Sequence, residues 1–169
     1  MMNTAFDRLT TAELDLYPGN LRDQIAALDE RLYEKLNNGV YQAGFASTQT
    51  AYEEAYHKVF AMLDELEERF GDGRQFLFGG QLTESDIRLF VTLVRFDLAY
   101  YGLFKCNRNL IAQMPNLSAY LSRILALPGI DETVNVAHIK TGYYSVKALN
   151  STGIVPVGPS LPKELAGGE

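Results

Sequence analysis

With 169 residues, 47% of them hydrophobic and 21% charged, the chain has the size and composition of one globular domain with its own core, far from the disordered regime. A formal charge of −6 repels a phosphate backbone and argues against nucleic acid as a partner. The one cysteine, Cys106, cannot form an internal disulfide and fits a reducing cytoplasm, and no apolar run approaches the roughly 20 residues that span a bilayer.

Residues 1–10 read as the end of an element whose beginning lies elsewhere. After the turn at Pro18-Gly19-Asn20, Leu21, Ile25, Leu28, Leu32 and Leu36 recur every three or four positions, the spacing of one helix face. Asn37-Asn38-Gly39 is expected to stop that helix. A second helix, capped by Ser47, Thr48 or Thr50, should bury Tyr52, Tyr56, Val59, Phe60, Leu63, Leu66 and Phe70 and end at Gly71-Asp72-Gly73. Its acidic residues, Glu53, Glu54, Asp64, Glu65, Glu67 and Glu68, are expected to form a solvated face and not a cation site.

Thr83 followed three residues later by Asp86 forms a capping box, with Leu82 and Ile87 as its hydrophobic staple. The helix it opens carries Ile87, Phe90, Val91 and Val94 on one stripe and Leu89, Leu93 and Phe96 over the rest. Such a helix, apolar nearly all round, is expected at the centre of the molecule. Residues 110–113 and 117–127 read as further helices, closed by Pro128-Gly129, and residues 130–144 as a weaker one. Residues 149–169, with Gly153, Pro156, Gly158, Pro159 and Pro162, should be extended and partly mobile. With no alternating strand pattern, the reading is an all-α, multi-helix bundle.

Catalytic and metal motifs are sparse. His57 and His138 have no ligating companions at metal spacing. Ser145, Ser151 and Thr152 lack a Gly-x-Ser-x-Gly elbow, and Gly71-Asp72-Gly73 and Gly79-Gly80 are too short to hold phosphates. Cys106, in an aromatic neighbourhood and without a second cysteine, reads as a buried structural thiol.

The segment Leu82-Thr83-Glu84-Ser85-Asp86-Ile87 before an apolar helix resembles the capping motif of glutathione transferase C-terminal domains. The run Asn37-Asn38-Gly39-Val40-Tyr41-Gln42-Ala43-Gly44-Phe45-Ala46 resembles the Xi class, the omega-like glutathionyl-hydroquinone reductases. Residues 93–97, 104–107, 128–130, 143–144 and 152–159 resemble the same family. The chain departs from it at Leu103, where a His is usual, at Gly142-Tyr143-Tyr144-Ser145, where His-Tyr-Tyr-Arg is usual, and at Ala137, where an Asp is common.

The resemblance implies three parts: a linker remnant at 1–10 after a thioredoxin-like domain outside this sequence, a glutathione transferase C-terminal bundle at 11–148, and a tail at 149–169. It implies a quinol-type substrate, glutathione as co-substrate held mainly by the other domain, no metal, and a homodimer. Tyr41 and Tyr143 map onto the family's pair of active-site tyrosines, as donors to the quinol oxygens, with Tyr144 as an adjacent substrate-binding candidate. The competing expectation is a non-catalytic dimerisation or docking module of the same fold.

Overall fold

The structure, a computed structural model, describes residues 14–161; the expected remnant at 1–10 and the tail beyond residue 161 lie outside that range. Among the described residues there are six α-helices and no strand. Helix α1 spans Arg22–Leu32, α2 Gly39–Gly44, α3 Gln49–Phe70, α4 Glu84–Arg95, α5 Pro115–Leu125 and α6 Val136–Tyr144. Single turns of π-helix follow α1 (Tyr33–Asn37) and α4 (Phe96–Tyr100).

The apolar face expected of α1 is the face that packs: Ile25, Leu28, Leu32 and Leu36 are buried. Asn37-Asn38-Gly39 does not stop the chain there. It passes through the π turn, where the Asn38 N–H donates to the Tyr33 carbonyl at 2.8 Å, and re-enters helix at once. Gly39 is needed for closeness: a Cβ on it would stand 3.0 Å from Val59 on α3. Thr48 caps α3 by accepting from Ala51 N–H, and Val59, Phe60, Leu63, Leu66 and Phe70 face inward as their spacing requires, with Tyr52 and Tyr56 half-buried at the edge.

The acidic side of α3 is more engaged than a solvated face. Asp64 pairs with Arg108, and Glu65 with Arg31. Glu67 accepts from the Asn116 and Leu117 N–H groups at 2.8 Å each, capping α5 from a neighbouring helix and meeting its positive dipole end.

Asp86 is the buried hinge of the bundle. Its two oxygens accept from the Thr83 N–H, the Thr83 hydroxyl and the Leu77 N–H, each at 2.9 Å, and from the Tyr120 hydroxyl at 3.1 Å. It thus fastens the start of α4, the preceding loop and α5 together. Ser85, one residue before, donates to Asp29 of α1 at 2.5 Å. Helix α4 is not buried all round, because Ile87 and Val91 stand 44% and 40% exposed on one stripe while Leu89, Phe90, Leu93 and Val94 fill the core. The described part of the tail has no regular element but lies back on the helices: Lys140 donates to the Val157 carbonyl at 2.5 Å and Leu161 is buried.

Candidate functional site

Three elements bring aromatic side chains to one end of the bundle. Helix α2 supplies Tyr41 and, at its C-cap, Phe45, the π turn after α4 supplies Tyr100, and α6 supplies Tyr143. A π turn holds one residue more than an α turn, so it rotates the residues beyond it by about 100° relative to the preceding helix. Tyr100, at its end, points inward and is 2% exposed.

The Tyr41 and Tyr143 hydroxyls lie 2.7 Å apart, and the Tyr100 hydroxyl is 2.7 Å from Tyr143 and 3.5 Å from Tyr41. Phe104 closes the base, edge-on to Tyr41 with ring centres 5.2 Å apart. The two sequence-expected tyrosines, 102 residues apart in the chain, thus share a hydrogen bond. Tyr144 does not join them: it is half-buried on the core, its hydroxyl 3.0 Å from where a Cβ on Gly102 would stand. A helical residue next to Tyr143 is rotated about 100° away from it and faces elsewhere.

Tyr100 was not singled out by sequence reasoning. The family-like stretches at 93–97 and 104–107 bracket it, and it carries no signal of its own beyond being an aromatic between them. Its side-chain direction depends on the π turn, which the apolar spacing of α4 does not announce.

The phenol cluster forms the wall between two clefts. One, of about 390 Å³, is lined by Tyr41, Phe45, Phe104, Ile139, Gly142, Tyr143 and Val146, with His138 and Arg95 as its polar members. The other, of about 440 Å³, is more polar and is lined by Tyr33, Asn37, Arg88, Val91, Thr92, Tyr100 and the shared Tyr41, Arg95 and Tyr143.

Burial pushes the Tyr143 phenol up to about 12, partly offset by the hydrogen bond with Tyr100 and, less, by the nearby Arg95 cation. It pushes Tyr100 well above its ordinary range, with the hydrogen bond to Tyr143 acting in the same direction. Both are therefore neutral donors at physiological pH. Arg95 donates to the Val91 carbonyl, and no carboxylate among the described residues pairs with it.

Cys106 is fully buried, and burial pushes its thiol up to about 12, so it is a poor nucleophile. Among the described residues no group of three or more His, Cys, Asp or Glu side chains is placed to hold a metal ion, and no helix is long and apolar enough to cross a membrane.

Residues 49–123 match the model of the glutathione S-transferase C-terminal domain. The chain is 50% identical over 163 residues to the glutathionyl-hydroquinone reductase PcpF of Sphingobium chlorophenolicum, an alignment covering 96% of this chain and 52% of that protein. Its fold superposes on the glutathione-bound structure of YqjG, a glutathione transferase homologue from Escherichia coli K-12, with a TM-score of 0.91 at 48% identity, covering 95% of this chain and 52% of that one. The glutathione-S-transferase Xi of Phanerochaete chrysosporium matches equally, with a TM-score of 0.91 at 48% identity over 94% of this chain and 52% of that one. The chain spans about half the length of the curated relatives it matches. On these matches the chain belongs to the glutathione transferases, as a C-terminal domain of the Xi-class, glutathionyl-hydroquinone reductase type.

Proposed function

We propose that residues 11–148 form the quinol-binding side of a glutathione-dependent reductase that removes glutathione from glutathionyl-hydroquinones. The observation that carries the reading is the trio of phenol hydroxyls at the wall of two clefts, 2.7 Å from one to the next.

A buried hydroxyl has one proton to place and two lone pairs to fill. Tyr100 reaches no acceptor but the other two phenols, so its proton goes to Tyr143 across the shorter contact. Tyr143 then donates to Tyr41, and Tyr41, 39% exposed, keeps its own proton for the cleft. Each bond in such a directed chain polarises the next, so the outermost phenol is a better donor to a quinol oxygen than an isolated one.

In the reaction a cysteine thiolate from a thioredoxin-like domain attacks the sulfur of the thioether. A sulfur–sulfur bond forms and the sulfur–carbon bond to the ring breaks. The electron pair passes to the ring carbon, which takes a proton, and hydroquinone leaves. A second glutathione thiolate then resolves the mixed disulfide and departs as glutathione disulfide, so the thiol is regenerated. Donors on the quinol oxygens stabilise the charge that develops on the ring as that bond breaks. Glutathione is the co-substrate in this reading, the cytoplasm its setting, and a homodimer its assembly.

The test is substitution of the two phenols in the complete enzyme. Tyr41→Phe and Tyr143→Phe are each expected to slow hydroquinone release by roughly 10- to 1,000-fold, the range for losing one positioned donor. Unchanged rates in both variants would overturn the donor role and favour the docking-module alternative.

A further inference from the structure

Gly142 lies in the last turns of α6, at the wall of the more apolar cleft. Its backbone is ordinary right-handed helix, since the left-handed glycines are Gly73, Gly79, Gly129 and Gly153. Nothing stands within 4 Å of where its Cβ would be. Neither backbone conformation nor close packing therefore demands a glycine here, although glycine is the poorest helix former after proline. What the missing side chain does provide is room. Ile139 of the same helix, Val146 just beyond its end, Phe45, Phe104 and Tyr143 line the cleft with it.

Building on the quinol-binding role, we propose that Gly142 sets the size selectivity of this cleft, holding its wall open for a second fused ring or similarly bulky apolar substituent on the quinol. The phenols fix the quinol oxygens at one end, and the rest of an extended ring system lies along the Phe45, Ile139 and Val146 surface beside Gly142. A side chain at 142 projects from the helix face that carries Ile139 into that space, so selectivity for bicyclic over monocyclic ligands declines as its volume grows.

The test is the series Gly142→Ala, Gly142→Leu and Gly142→Phe. In the holoenzyme the readout is the ratio of kcat/KM for a glutathionyl-naphthohydroquinone to that for a glutathionyl-benzohydroquinone. That ratio is expected to fall stepwise along the series, by roughly 10-fold or more at Phe, the discrimination a filled apolar pocket supplies. On this chain alone, calorimetry with 1-naphthol and phenol as unreactive probes should show the preference for naphthol shrinking in the same order. Ratios that stay flat, or both ligands weakening by the same factor, would overturn the proposal. Should the Phe variant fail to fold, the Ala and Leu variants carry the same comparison. Tyr143→Phe measured alongside separates the two ideas. A flat Gly142 series with a slowed Tyr143→Phe sinks the size selectivity alone. A graded probe series with a fully active Tyr143→Phe keeps the selectivity and removes the catalytic reading.

Discussion

A phenol surrounded by rings and other phenols loses the water that would stabilise its anion, and the cost appears as a raised pKa. Tyr143 is held near 12 in the folded chain against an ordinary value near 10. The folded-state value lies above the unfolded one, so this group's contribution to stability is complete below about pH 10 and is lost as pH rises toward 12. Denaturant midpoints measured from pH 8 to 12 should therefore fall more steeply in the wild type than in Tyr143→Phe above pH 10. Parallel curves would show that burial does not hold the phenol neutral. The same shift keeps Tyr143 protonated across the physiological range, as its donation to Tyr41 in the proposed chain requires. Of the residues at this site, Tyr41 and Tyr143 were legible through family-like motifs, whereas Tyr100 was not. Only the geometry of the three hydroxyls distinguishes it from the other tyrosines of the chain.

At the level of elements, the short helix α2 is placed by how closely it approaches the segment after α4. A Cβ on Gly44 would fall 2.5 Å from the Phe104 ring, and that ring is edge-on to both Tyr41 and Tyr143. Gly44→Ala is therefore expected to destabilise the fold by about 1–3 kcal/mol, the usual cost of overpacking, and to move Phe104 and with it the phenol cluster. Chemical denaturation would give the first number, and altered aromatic side-chain NMR shifts of Tyr41 and Tyr143 the second. An unchanged midpoint would mean that α2 slides freely. Helices α3 and α4 were legible because each has a long apolar repeat and a local start signal, a Ser/Thr cluster that includes the observed cap Thr48 for α3 and Thr83 with Asp86 for α4, whereas α5 begins at Pro115, two residues before the expected start at Leu117. Sequence reasoning failed where long-range contacts decide. Glu67 looks like one more solvated acid until Asn116 and Leu117 arrive 49 and 50 residues later to be capped by it. The Asn37-Asn38-Gly39 turn signal was overridden because Asn37 finds partners at Arg88 and Thr92 of α4 and Gly39 must pack against Val59.

Taken as a whole, the molecule presents its phenol cluster among exposed apolar side chains. Tyr33, Tyr41, Phe45, Ile87 and Val91 are 39–60% exposed, and four of these five residues line one or both of the clefts. The sequence suggests an α4 that is apolar nearly all round and central. The exposed Ile87 and Val91 are instead the part of its apolar surface that this bundle does not cover, and a thioredoxin-like domain carrying the thiol is the occupant the proposed function requires. The chain's one cysteine cannot substitute for that thiol, because it is fully buried and burial holds it near 12. At neutral pH such a thiol is almost wholly un-ionised, and the surrounding side chains keep a bulky thioether away from it. Glutathione and a glutathionyl-hydroquinone incubated with this chain alone should therefore release hydroquinone no faster than buffer does, while Cys106→Ala leaves that background unchanged. Clear turnover by the isolated chain, abolished in Cys106→Ala, would mean that the buried thiol becomes accessible and that the division of chemistry between two domains is wrong. Turnover that persists in the variant would instead assign the chemistry to glutathione itself, activated directly by the phenols and Arg95.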